Sequence, residues 1–174
     1  MTSDSTRAYV GLGSNVGDRA GNLLLAVRGM MDAGLSVRRL SSVYETEPVD
    51  VLDQPAFLNM VAQLCGALPA PEQLLARLLR IEYGLGRRRD VPRGPRTIDL
   101  DLLLYADEQR ATDFLTLPHP RLHLRRFVLI PLAELDPRLI HPTLRLTINQ
   151  LLFNTPDRSE IKKWKAKASP KQQG

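Results

Sequence analysis

The chain has 174 residues, 43% of them hydrophobic and 25% charged, with a formal net charge of +5 and a single cysteine. That length and balance describe one globular domain with a core of its own. No apolar run reaches the roughly 18 residues of a membrane span, and one cysteine excludes an internal disulfide and fits a reducing cytoplasm. The charge is unevenly spread: residues 1–156 hold eighteen arginines against seventeen acids and no lysine, while 157–174 hold six basic and two acidic side chains. The body is close to neutral, so a single domain over 1–156 followed by a basic, mobile tail over 157–174 is expected. The N-terminal Met-Thr-Ser-Asp-Ser-Thr-Arg is polar and lacks the apolar stretch of a signal peptide.

In chain order, Ala8 to Leu12 reads as a short strand that breaks into a tight turn over Gly11-Leu-Gly-Ser-Asn-Val-Gly17. This glycine run lacks the Gly-Lys-Ser/Thr of a phosphate loop and the spacing of a dinucleotide fingerprint. Asp18 is the expected N-cap of a helix whose apolar stripe is Leu23, Leu24, Ala26, Val27, Met30 and Met31, with Gly34 as its stop. Leu35 to Tyr44 reads as a second strand and Glu45 to Pro55 as a loop. Phe57 to Leu64 alternates, with Leu58, Met60, Ala62 and Leu64 on one face and Phe57, Asn59, Val61 and Gln63 on the other. Cys65 follows as a small buried hydrophobe. Pro69 and Pro71 open a second helix with Leu74, Leu75, Leu78, Leu79 and Ile81 as its stripe. A helix over Arg125 to Leu135, a short hairpin near His141 and a small helix from Ile148 to Phe153 complete the chain. Strands mixed with two main helices in a βαββαβ order predict an α+β, ferredoxin-like sandwich with a largely antiparallel sheet.

The chemistry concentrates in Gly94-Pro-Arg-Thr-Ile-Asp-Leu-Asp-Leu-Leu-Leu-Tyr105. Strand alternation sends Ile98, Leu100, Leu102 and Leu104 to one side and Asp99 and Asp101 to the other. Neighbouring carboxylates repel unless something offsets them. Magnesium does so naturally, since it is held by one or two carboxylates together with substrate phosphates. Just upstream stand Arg87, Arg88, Arg89, Arg93 and Arg96, guanidinium groups suited to a polyphosphate. The plain alternative, a solvated sheet face, accounts for the two aspartates but not for five arginines beside them.

Four stretches together resemble the 6-hydroxymethyl-7,8-dihydropterin pyrophosphokinase family: Gly11-Leu-Gly-Ser-Asn15; Tyr44 to Asn59 with Asp53-Gln-Pro55 and Phe57-Leu-Asn59; Gly86-Arg-Arg-Arg89 through Asp101; and Leu117-Pro-His-Pro120 with Arg125-Arg-Phe127. The resemblance implies transfer of the β,γ-diphosphoryl unit of ATP to the pterin hydroxymethyl group, with release of AMP. It implies that Asp99 and Asp101 hold two magnesium ions and that Arg87 and Arg96 clamp the polyphosphate. Glu82, Arg89, Leu102, Leu115, His119 and Arg125 would seat ATP. Thr46, Pro48, Val49, Phe57, Asn59 and Phe127 would hold the pterin, the two phenylalanines as walls of a ring sandwich. A cytoplasmic monomer with these two substrates, and with neither membrane nor nucleic acid as partner, is the expectation.

The chain departs from the family at three places. Arg93 stands where some members carry an aromatic residue, Asp90 where a basic residue can occur, and Phe114 where an arginine can meet ATP. Glycines and Pro92 flank the arginines, which predicts a loop that closes over ATP and excludes water. Two other readings compete. A non-catalytic nucleotide or pterin binder is weakened by the presence of both aspartates and both clamp arginines. An RNA-binding module, prompted by a pI of about 9.7, is weakened by the neutral body and the absence of an RNP-type run.

Overall fold

The computed structural model describes residues 6–47, 53–86 and 97–166. Of the expected site residues, Arg87, Arg89, Arg96, Pro48 and Val49 lie outside the described residues, as do Arg88, Asp90, Pro92, Arg93 and residues 167–174. The elements are β1 (Thr6–Ser14), α1 (Arg19–Asp32), β2 (Ser36–Leu40), β3 (Tyr44–Thr46), β4 (Phe57–Gly66), α2 (Pro71–Gly84), β5 (Asp99–Tyr105), β6 (Arg110–Ala111), β7 (Thr116–Leu117), α3 (Arg126–Leu135), α4 (Ile148–Asn154) and β8 (Ile161–Lys163). The main sheet runs β5-β1-β4-β3-β8, with β2 also on β4, and all its pairings are antiparallel. This is the expected α+β sandwich, with a βαββαβ core. Among the described residues no helix is long and apolar enough to cross a membrane.

Local chemistry sets both ends of α1. The Asp18 carboxylate accepts from the Gly21 N–H at the start of α1. At its end, Gly34 takes φ +81°, and the Gly34 and Leu35 N–H groups close back on Met31 and Met30, a Schellman stop. Leu23, Ala26, Val27 and Met30 are buried; Leu24 and Met31, expected in the same stripe, are exposed because the buried face is narrower than their spacing implied. Cys65 is half-buried.

Three expectations are corrected. The first strand does not break at Gly11: β1 runs through Ser14, bonded to β4 on one side and β5 on the other. Two full ladders outweigh the weak strand preference of glycine, and the turn falls at Gly17, which has φ +70°. The expected second strand is two, interrupted at Ser41, whose hydroxyl accepts from the Val61 N–H in place of a ladder carbonyl. The tail does not begin at residue 157. Ile161–Lys163 form β8 on β3, and Trp164 packs against the core, so apolar residues inside a lysine-rich stretch extend the sheet.

The sheet is covered on both faces. One face carries Ala8, Val10, Leu12, Leu58, Met60, Ala62, Leu64, Leu100 and Leu102 against α1 and α2; the other buries Tyr9, Val61, Leu103 and Leu104 against α3 and α4. Leu104 was expected beside Leu100 and Leu102. A register shift opposite Tyr9 and Val10 inserts one extra residue in β5, and such a bulge turns every later side chain over. Upstream of it the alternation holds, leaving Asp99 and Asp101 on the α3 face.

Candidate active site

The end of the α3 face beyond the second apolar cluster is where the polar chemistry gathers. Cross-strand register puts Tyr44, Asn59, Gly13 and Asp99 in one row across β3, β4, β1 and β5. The next row holds Val61, Gly11 and Asp101. Asn59 and Asp99 are therefore two interstrand spacings apart, roughly 10 Å, with only glycine between them. Glycine at 13 leaves room for the amide: a Cβ there would stand 2.8 Å from Asn59 Oδ1, and the side chain would have to shift. The Asn59 amide is 8% exposed, and its Nδ2 donates to Thr46 Oγ1 at 2.8 Å. Phe57 is half-buried on the same strand face, in the row of Thr46.

The chain leading into Phe57 is held from below. The Asn15 side chain, buried at the end of β1, donates to Gln54 Oε1 and to the Pro55 carbonyl. Arg19 Nη1 donates to Glu45 Oε2 at 2.8 Å and to the Ala56 carbonyl at 2.9 Å. Arg19 was not singled out from sequence, and Asn15 only as the end of the Gly11–Asn15 stretch. Their signal is weak, since a polar residue just after a strand reads equally well as a solvated turn.

Along the free side of edge strand β5 lies a cleft of about 690 Å³ that brings together Glu82, Asp99, Asp101, Leu102, Leu115, His119 and Arg125. Because β5 is an edge, residues from both of its faces reach the cleft. Phe114, 52% exposed, and Asp113 line it as well. Asp113 is a carboxylate that sequence reasoning passed over.

Glu82 does more than line this cleft. It is 2% exposed, and Oε2 accepts from the Leu100 N–H at 2.8 Å. An edge strand leaves every second N–H facing outward; Glu82 satisfies the one between the two aspartates. His119 is tied in through its own N–H to the Leu103 carbonyl at 2.9 Å, and its Nδ1 accepts from the Arg121 N–H. The proton on the neutral ring is thereby assigned to Nε2. Burial, with repulsion from Arg125 and Arg121 and a partial offset from Asp99, pulls the His119 pKa down to about 4. The Arg125 guanidinium sits 5.5 Å from the centre of the Phe127 ring, within cation–π range. One arginine thus joins the cleft to the second expected ring wall.

Among the described residues no group of three or more His, Cys, Asp or Glu side chains is set to hold a metal. Two carboxylates on one face are what remains. That donor set fits magnesium, which takes few protein oxygens and completes its shell with phosphate and water, and does not fit a closed zinc cage.

Residues 9–137 match the family model described as 7,8-dihydro-6-hydroxymethylpterin-pyrophosphokinase (HPPK). The chain is 48% identical over 129 residues to the 2-amino-4-hydroxy-6-hydroxymethyldihydropteridine pyrophosphokinase of Bacillus subtilis (strain 168), covering 74% of this chain and 77% of the relative. It is 39% identical over 142 residues to the enzyme of that name from Aquifex aeolicus (strain VF5), covering 82% and 88%. A crystal structure of an HPPK-DHPS in complex with substrates superimposes with a TM-score of 0.70 at 13% identity, over 87% of this chain and 43% of that one. A Plasmodium falciparum HPPK-DHPS gives 0.68 at 15% identity, over 87% and 46%. The chain spans less than half of these longer proteins, and at that identity they speak to the fold alone. With most of its length matched by the family model and by relatives of similar size, the chain belongs to the 7,8-dihydro-6-hydroxymethylpterin-pyrophosphokinase family.

Proposed function

We propose that this chain, by family a pyrophosphokinase of folate biosynthesis, transfers diphosphate from ATP to 6-hydroxymethyl-7,8-dihydropterin, giving AMP and the pterin diphosphate. The observation that supports it most is the row Asn59–Gly13–Asp99. It sets an amide able to read a pterin edge in line with a carboxylate of the cleft, across a glycine floor. The span of roughly 10 Å accommodates a hydroxymethyl group and the phosphorus it attacks.

Asp99 and Asp101 would hold magnesium, two ions in this reading. When bound, the metal neutralises phosphate charge and favours attack at the β-phosphorus. The hydroxymethyl oxygen forms a bond to that phosphorus, the bond from it to the α,β-bridging oxygen breaks, and AMP departs with that oxygen. The hydroxyl proton passes to solvent. Phe57 and Phe127 enclose the ring, while Asn59 with Thr46, and Pro48 with Val49 beyond the described residues, form the rest of its pocket. Leu102, Leu115, His119 and Arg125, with Glu82 beneath them, line the nucleotide side, joined by Arg89. Arg87 and Arg96 clamp the polyphosphate and the charge building on the departing oxygen. A cytoplasmic monomer, acting on these two small molecules without nucleic acid, completes the reading.

The test is AMP release from ATP and the reduced pterin, with and without magnesium, beside the Asp99→Ala/Asp101→Ala double variant. Magnesium-dependent AMP that disappears in the double variant is expected. A folded wild-type protein that binds both substrates but releases no AMP would instead identify a non-catalytic homologue.

A further inference from the structure

Residues 155–166 tie together the two sides of the proposed pterin pocket, and they lie wholly beyond residue 137, where the family match ends. Helix α3 begins badly on its own. Its N-cap, Arg125, makes no side-chain capping bond, and its first turn holds no acid. The positive end of the helix dipole therefore meets positive side chains. The missing cap comes from a distance: Asp157 Oδ2 accepts from the Arg126 N–H at 2.8 Å, and Arg126 Nη1 donates to the Ser159 carbonyl at 2.8 Å.

Asp157 is itself built into place. The N–H and Oγ of Ser159 donate to its Oδ1 at 2.9 and 2.6 Å, and its own N–H donates to Thr155 Oγ1. Burial opposes its charge, but the bonds from Ser159 and from Arg126, with the Arg126 guanidinium near it, hold its pKa below the ordinary aspartate value. It is ionised at neutral pH, as a helix cap should be.

Four residues later the same segment reaches β3. Ile161 pairs with Thr46, Lys162 with Glu45 and Lys163 with Tyr44, and the Trp164 N–H donates to the Val43 carbonyl at 2.8 Å. Thr46 receives the Asn59 amide, and Phe127 follows directly on Arg126. One strap thus holds the first turn that carries one ring wall and the strand behind the edge-reading amide.

We propose that residues 155–166 act as a strap that sets the width of the pterin pocket, with Asp157 as a positioning residue that orients Phe127 by capping α3. The inference rests on the pterin reading of Phe127, Thr46 and Asn59 given above. The strap's bonds go to Arg126 and to β3, whereas the nucleotide side is lined mainly from β5, α2 and the β6–β7 segment, with Arg125, the residue before Arg126, at its margin. Loss of the strap therefore acts on one substrate more than the other.

The experiment is steady-state kinetics on the full chain for Asp157→Ala, Asp157→Asn and Phe127→Ala, with thermal unfolding as a control for folding. Asp157→Ala should raise the pterin KM about fivefold, as loss of a cap at the pocket wall implies, with the ATP KM and kcat changed less than about twofold. Asp157→Asn keeps one acceptor for the Arg126 N–H and should restore part of the loss. Equal changes for both substrates, or none, overturn the strap while Phe127→Ala still weakens pterin. If Phe127→Ala leaves pterin affinity unchanged, the pocket reading itself fails and takes the strap with it. Should Asp157→Ala not fold, Ser159→Ala, which removes one donor to the same carboxylate, must show the same one-sided loss, and a balanced loss overturns the proposal.

Discussion

The side chain of Asn59 takes the space beside the α-carbon of Gly13: a methyl group on that carbon would lie 2.8 Å from Asn59 Oδ1. Backbone on β1 cannot yield, because that strand is bonded on both sides. In Gly13→Ala the Asn59 amide is therefore the group that shifts, away from its aim beside Thr46. The expected result is a fold that melts close to wild type and a pterin affinity lowered about tenfold, the loss of one well-aimed buried hydrogen bond. Isothermal titration with the pterin checks it, and unchanged affinity would show that Asn59 does not read the ring.

Glu82 supports the strand between the two cleft aspartates from behind. Replacing it with Ala leaves the buried Leu100 N–H without this acceptor, which costs about 1–3 kcal/mol. Urea unfolding should register that loss, while Glu82→Gln, which keeps an acceptor oxygen, should recover much of it. Since Leu100 stands between Asp99 and Asp101, the alanine variant should also need more magnesium for half-maximal activity. An unaltered magnesium requirement in a destabilised variant would limit Glu82 to a structural part.

His119 makes a prediction in pH. Its folded pKa is about 4 against an ordinary 6.5, so between those values the unfolded chain binds a proton that the folded chain refuses. Its contribution to stability is complete above pH 6.5 and is lost as the pH falls toward 4. The ring should stay neutral through the physiological range and contribute no inflection to ATP affinity between pH 6 and 8. Proton NMR of the ring is the direct check: a midpoint near 6.5 in the folded protein would mean that the cleft leaves His119 solvated.

Phe114 lines the cleft where the family resemblance led to the expectation of an arginine. A half-exposed aromatic beside Leu75 and Leu79 offers a face to a purine rather than a charge to a phosphate. Phe114→Ala should raise the ATP KM about tenfold, in the range of base–aromatic stacking, with the salt dependence unchanged. A loss that varies with salt would assign the contact to phosphate instead.

What was legible in the sequence was whatever repeats locally. Period-two alternation put Asp99 and Asp101 together on one face, and the four-residue logic of caps identified Asp18 and Gly34 at the ends of α1. The same alternation erred at Leu104, because a bulge arises from pairing with Tyr9 and Val10, about 95 residues away along the chain. It erred at Gly11 and Gly13 for a related reason, since glycine signals a turn only when no partner strand holds it straight.

The sequence by itself determined the strand-borne aspartates, the ends of α1, the βαββαβ order and the family, because each is written in neighbours or in short ordered motifs. Only the tertiary structure decided that Asn59, Gly13 and Asp99 form one row, that Glu82 closes on the Leu100 N–H, and that Asp157 caps a helix 31 residues upstream. Register, burial and remote capping depend on which surfaces meet when the sheet closes. That choice is made by the whole core at once, and no window of sequence contains it.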